Sequence, residues 1–210
     1  MDIWAYAFHS AAANWLRWED EYTCCNFKNR AMLNDVEVFS SFCSEYNLSR
    51  NIPGDSKEKD NKNKALLANK RREVVMNYFR NNWDDSKNVD DFASELANFS
   101  NGRHTIDGID LPDLSKRGKQ SQVANSISLV SKVLSFSDPC CFPPYDTYVQ
   151  NISEKKTYVE YKDWFGLKFS EKLKTLNTLE KPNFVRNNQY TKFQARVLDV
   201  VCMVEGNRWN

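Results

Sequence analysis

Glycine and proline are scarce in this sequence, six of each among 210 residues. Disordered low-complexity chains and turn-dense β-sandwiches use more of both, so neither class is expected. There are two histidines, His9 and His104, too few and too far apart for a paired catalytic or metal site. None of the six cysteines (Cys24, Cys25, Cys43, Cys140, Cys141, Cys202) stands in the C-x-x-C or Cys/His spacing that a zinc site or redox motif needs. No structural metal is therefore expected. The opening residues MDIWAYAFHS carry no basic stretch and are soon followed by Arg17, Glu19 and Asp20, which predicts neither a signal peptide nor a membrane span there. The expectation is a cytoplasmic protein with reduced thiols and no membrane partner.

An excess of charge of one sign is also lacking. The formal net charge is +1, so bulk electrostatics does not announce a nucleic-acid binder. The distribution is uneven, with seven basic residues against two acids from Lys57 to Arg72, and eight acids against two basic residues from Asp84 to Asp113. Read plainly, such runs are solvated loops and helix faces on a polarised surface.

What is present is 41% hydrophobic and 13% aromatic content, enough for one sizeable core. The expected fold is all-α: a multi-helix domain over 1–210, with an N-terminal helical lobe at 1–114 and a C-terminal one at 115–210. Trp4, Phe8, Ala11, Trp15 and Trp18 recur at helical spacing from Ile3, with Asp2 as N-cap. Leu33, Val36, Phe39 and Cys43 mark a second helix over Arg30–Tyr46. A polar loop over Asp55–Asn63 precedes a helix at about Lys64–Asn81, and another follows at Val89–Phe99. Gly102, Gly108 and Pro112 predict irregular chain, and no strand is expected. Helical structure resumes near Ser115. A helix over Gln120–Phe136 carries Val123, Ile127, Val130 and Leu134 on one stripe and Ser128, Lys132 and Ser135 on a polar one. Beyond the turn Cys140-Cys141-Phe142-Pro143-Pro144-Tyr145, Asp146 is placed to cap a short helix through Ile152. Helices at Tyr158–Leu179 and Thr191–Glu205 follow.

The segment SLVSKVLSFSDPCCFPPYDTYV, Ser128 to Val149, combines a helix bearing a lysine, a proline-containing turn and an aspartate entering the next helix. With Ser131-Lys132, Pro144-Tyr145-Asp146 and Arg196-Val197-Leu198-Asp199 ahead of Gly206, it resembles the helix-hairpin-helix DNA glycosylase superfamily. It is more closely similar to bacterial and phage proteins of 8-oxoguanine-DNA-glycosylase-like fold. The resemblance covers about 120–206, and the first hundred residues match nothing. It implies a two-lobed helical fold, double-stranded DNA with a damaged or modified base as partner, and no cofactor. It also implies that Asp146 stabilises the oxocarbenium-like transition state of N-glycosidic cleavage and aligns water. Lys132 would be the amine nucleophile of a lyase step.

Two departures from the family pattern stand out. Its lysine sits near the start of this helix, at about Ser128, one turn before Lys132 on the same face. Its hydrophobic-Gly-hydrophobic-Gly hairpin is missing. In its place stands the basic turn Ser115-Lys116-Arg117-Gly118-Lys119, running into a helix N-terminus suited to a DNA phosphate. The DNA-contacting residues are accordingly expected to be Lys116, Arg117, Gly118, Lys119 and Ser128, with His104 beside Arg103 in a loop. The tryptophans are available as walls for a flipped base, although most are expected in the core. The plainer readings are Asp146 as an N-cap worth about 1 kcal/mol, Lys132 as a solvated lysine and Cys140-Cys141 as packing.

Beside the glycosylase stand two alternatives. One is a non-catalytic DNA-binding or protein-interaction module on the same scaffold. The other is a role in phage–bacterium conflict or antiviral defence rather than DNA repair.

Overall fold

The computed structural model describes residues 2–17, 31–53, 58–84, 86–119 and 122–207. The structure is mostly helical. The chain divides into two units, one holding described residues 2–17 and 131–207 and the other 31–130. The first helix therefore groups with the C-terminal part of the chain, unlike a simple division at 114/115. No helix among the described residues is long and apolar enough to cross a membrane.

The second unit begins with a 3-10 turn, Ala31–Leu33, and α2, Val36–Glu45, which starts where the Asp35 side chain accepts from the N–H groups of Glu37 and Val38. Asn47, at φ 58°, turns the chain off after the helix. Helix α3, Asn61–Asn82, starts three residues earlier than expected because Asp60 caps it, accepting from Lys62 N at 2.8 Å. Residues 54–57 of the expected polar loop lie outside the described residues. Helix α4, Val89–Asn101, is capped by Asn88 and packs Phe92 against Phe79 and Trp83, at 5.2 and 5.1 Å between ring centroids.

Where irregular chain was expected there is a hairpin of β1, His104–Ile106, and β2, Ile109–Leu111, with Thr105 opposite Asp110. Its two-residue turn is Asp107-Gly108, both at positive φ (50° and 74°), the type I′ geometry that matches strand twist. Asp-Gly between Thr-Ile and Ile-Asp-Leu is the local sequence signal for this hairpin. His104 is thus in a strand, its Nε2 2.9 Å from the Phe99 carbonyl oxygen, and not in a loop open to DNA. The basic run holds another departure: Arg71 is buried, donating to the carbonyls of Ser100, Gly102 and Pro112 at 2.6, 2.8 and 2.6 Å. A guanidinium can satisfy three carbonyls that a solvated lysine could not reach together.

Helix α5, Ile127–Ser135, begins later than expected. The preceding chain is claimed by side chains: Asn101 accepts from Val123 N at 2.7 Å and donates to Val123 O at 3.0 Å. Asn51 donates to Ser126 Oγ, which itself accepts from Leu129 N and so caps the helix. The unit division falls within α5, after Val130.

In the first unit, α1, Ile3–Arg17, buries Ala7, Ala11 and Trp15, spaced by four. Trp4 and Phe8 flank this stripe rather than centre it, and Trp18 lies outside the described residues. Trp15 and Phe8 both meet Phe193 edge to face, at 5.6 and 5.4 Å. Helix α6, Thr147–Ser153, ends at Glu154 in the left-handed region. A Thr157/Glu160 capping box then opens α7, Tyr158–Asn177. Helix α8, Tyr190–Asn207, is buried continuously from Phe193 to Cys202 and forms the axis of this unit.

Candidate functional site

Lys132 and Asp146 are brought together. Lys132 leaves the middle of α5, which is buried on nearly every side: Leu129, Val130, Ser131, Val133, Leu134 and Ser135 have essentially no exposure. The lysine side chain is only 15% exposed, so it is not the solvated lysine of the plain reading, and its Nζ lies 3.3 Å from Asp146 Oδ2.

Asp146 caps α6, as its position after Pro-Pro-Tyr predicted. Its Oδ1 accepts from Tyr148 N at 3.0 Å and Val149 N at 3.2 Å, leaving Oδ2 to face the lysine. The turn delivering it is fixed from below. Ser131 Oγ accepts from Tyr145 N at 2.9 Å, while the Tyr158 and Tyr161 hydroxyls donate to the carbonyls of Pro143 and Pro144 at 3.1 and 2.9 Å. The serine preceding the lysine thus serves the turn, and the prolines, lacking N–H groups, act through carbonyls that two buried tyrosines read.

Helix α8 carries a second, more deeply buried ion pair. Arg196 Nη1 lies 3.1 Å from Asp199 Oδ2, with side chains 4% and 12% exposed. Burial pushes the Asp199 carboxyl up to about 6. Arg196 and Lys132 oppose that rise, and Asp146 adds to it. Each of the two ion pairs is mostly shielded from water. The Arg196-to-Asp199 element was visible in the sequence as a base and an acid at i, i+3 spacing.

Beside the start of α6 opens a cleft of about 340 Å³ lined by Ile3, Tyr6, Tyr148, Met203 and Asn207, among others. Tyr6 and Tyr148, 45% and 39% exposed, are its aromatic walls. Of the tryptophans, Trp15 and Trp83 are core, Trp4 borders a separate cleft with Phe8 and Phe184, and Trp18 and Trp209 lie outside the described residues.

The expected DNA-contacting residues all belong to the unit of 31–130. Ser128 stands one turn before Lys132 on α5. Lys116, Arg117, Gly118 and Lys119 stand in an exposed turn where Arg117 N is bonded to Leu114 O and Ser115 N to the Asp113 carboxylate. The next α-helix among the described residues, α5, starts at Ile127.

The four described cysteines, Cys43, Cys140, Cys141 and Cys202, are free thiols. Cys140 Sγ lies 3.8 Å from the Thr191 carbonyl oxygen.

Comparisons of the chain with protein-family models, with curated proteins and with solved structures find no match.

Proposed function

We propose that this protein acts as a DNA-glycosylase-like enzyme that releases a flipped, damaged or modified base from double-stranded DNA, with Asp146 as the carboxylate that stabilises the sugar cation. The observation that carries this reading is the approach of Lys132 Nζ to Asp146 Oδ2 at 3.3 Å across a proline turn, both side chains mostly shielded from water. Shielding strengthens the field a carboxylate exerts on a developing positive charge. Breaking the N-glycosidic bond leaves positive charge at the anomeric carbon, and Asp146 Oδ2 would face it. Lys132, once deprotonated, is the amine able to attack that carbon and begin strand cleavage. The cleft walled by Tyr6 and Tyr148 offers aromatic faces beside the same turn for an extruded base.

The test is incubation of the protein, and of Asp146→Asn and Lys132→Ala, with duplexes carrying a panel of damaged and phage-type modified bases, followed by alkali cleavage and borohydride trapping. Base release lost in Asp146→Asn, with an adduct lost in Lys132→Ala, is the expected result.

A second reading is favoured by one observation: both oxygens of Asp146 already have partners, Oδ1 in the helix cap and Oδ2 in the ion pair. On this reading the pair is structural, and the protein binds DNA or a protein partner without turnover, in repair or in phage–bacterium conflict. Salt-sensitive DNA binding with no base release from any duplex would select it.

A further inference from the structure

Helix α7 uses only one of its sides inside the chain. Tyr158, Tyr161, Phe165 and Leu176 are buried, and the hydroxyls of the two tyrosines hold the Pro143 and Pro144 carbonyls. At about 3.6 residues per turn these four fall on one side of the helix. The opposite side is more apolar than a solvated face needs to be. It carries Val159, Gly166, Leu167 and Leu173, all exposed. Leu167, at 67%, is the most exposed large apolar side chain among the described residues.

Two details fit this side for cover. Gly166 and Ser170, one turn apart, leave a shallow place beside Leu167, since even a Cβ on the glycine would meet nothing. The Ser170 hydroxyl donates to the Gly166 carbonyl at 3.0 Å, so covering it leaves no unmet donor.

The order of the side chains selects what covers it. Asp163, Leu167, Ser170 and Lys174 stand four, three and four residues apart and so form one row along this side. Laid antiparallel on itself, the row sets Asp163 against Lys174 and Leu167 against Ser170, each contact made twice by the two-fold symmetry. Asp163 and Lys174 are exposed, and neither has an ion-pair partner among the described residues. The ion pair within α7, Lys168 to Glu171 at 2.9 Å, does not use them. A parallel pair would instead bring each charge to the level of its own copy. A uniformly acidic or basic partner would leave one of the two facing its own sign.

We propose that the outward side of α7 is a homodimer interface, closed antiparallel by a second copy of this chain, with Leu167 of each copy seated against Gly166 and Ser170 of the other and Asp163 paired with Lys174 of the other.

A helix of 20 residues is about 30 Å long. Two such faces bury roughly 1,000 Å² together, the lower bound for a specific interface. The dimer is accordingly weak, with a Kd in roughly the micromolar range. It is independent of any chemistry at Asp146.

The experiment is sedimentation equilibrium of the full chain from about 1 to about 300 μM. It compares the wild type with Leu167→Glu, Asp163→Lys, Lys174→Asp and the double variant Asp163→Lys/Lys174→Asp. All three positions are exposed, so the fold should be kept, which far-UV circular dichroism checks. The wild type is expected to approach twice the mass of one chain at the top of the range, and Leu167→Glu to stay monomeric. Each single charge reversal sets like charges together and should weaken association about tenfold or more, whereas the double variant should return to within about threefold of the wild type. A wild type that stays monomeric throughout would overturn the proposal. So would a dimer that Leu167→Glu leaves intact, or single reversals that the double variant does not rescue, because the copies then meet through another face or in another register.

Discussion

Gly206 of α8 lies directly against the backbone carbonyl of Tyr148 in the first turn of α6, so closely that a Cβ on the glycine would overlap the carbonyl oxygen and crowd its carbon. The glycine is there for close approach, since no left-handed φ is recorded for it. Because the obstruction is backbone, Gly206→Ala cannot be relieved by a rotamer change; α6 and α8 must separate. The expected loss is about 3 kcal/mol in urea unfolding. Base release should fall with it, because the displaced turn carries Asp146. Gly166 in α7 is the control: a Cβ there meets nothing, so Gly166→Ala should gain up to about 1 kcal/mol from helix propensity.

The two oxygens of Asp146 allow cap and charge to be separated. Asparagine keeps a side-chain oxygen for the Tyr148 and Val149 N–H groups but cannot pair with Lys132 as an anion. Asp146→Asn should therefore retain the cap, whereas Asp146→Ala should lose about 1 kcal/mol more. Base release should be lost in both. Full activity in Asp146→Asn would end the glycosylase reading, and equal stability of the two variants would show that the cap is worth nothing here.

Much of this site was legible from local rules. The placement of Asp146 follows from the residue before it being held out of helix by the proline turn and from the N-cap preference of aspartate; both act over three or four residues. The limits of α5 were not legible by the same means. Its hydrophobic stripe continues back to Val123, but Asn101 and Asn51, distant in sequence, hold residues 123–126 out of helix through hydrogen bonds. Arg71 escaped for the same reason: a basic run reads as solvated until Ser100, Gly102 and Pro112 turn three carbonyls toward one of its members. The β-hairpin was a different kind of miss, since Asp107-Gly108 between alternating residues is a local signal that outweighs the irregularity suggested by scattered glycines. Asp199 was visible as part of the Arg196-to-Asp199 element, but its burial depends on the packing around α8.

Arg71 tests whether a buried cation organises the second unit. Arg71→Met keeps the stem but leaves the carbonyls of Ser100, Gly102 and Pro112 without that donor, at a cost of about 3 kcal/mol or more. Arg71→Lys should recover only part of it, because one ammonium cannot reproduce the planar fork. Urea unfolding of the three proteins measures this, and a methionine variant as stable as the wild type would refute the role.

The adjacent thiols of the turn should be sluggish despite their exposure. Burial of the Cys140 sulfur, with the nearby Asp138 carboxylate, pushes its thiol up to about 12, and the same two causes raise Cys141. Only the thiolate reacts, so at pH 7.5 iodoacetamide should modify both far more slowly than a free cysteine peptide, and Asp138→Asn should speed the reaction. Labelling at the peptide's rate would show that the sulfurs are not shielded as described.

The Asp199 carboxyl should make the fold itself sensitive to pH, in a direction opposite to that of an ordinary salt-bridged aspartate. Its value is raised from 3.8 to about 6, so the native state binds this proton more tightly than the unfolded chain does. The resulting stabilisation is complete below about pH 4 and lost as pH rises through 6. Asp199→Asn cannot ionise, so it should escape this loss. Relative to wild type it should gain stability between pH 4 and pH 8, by an amount on the order of 3 kcal/mol. Urea unfolding of both proteins at closely spaced pH values measures the difference, and a pH-independent one would show that Arg196 fully compensates the buried charge. A gain of the expected sign would mean that the ionised aspartate weakens the protein wherever it is charged.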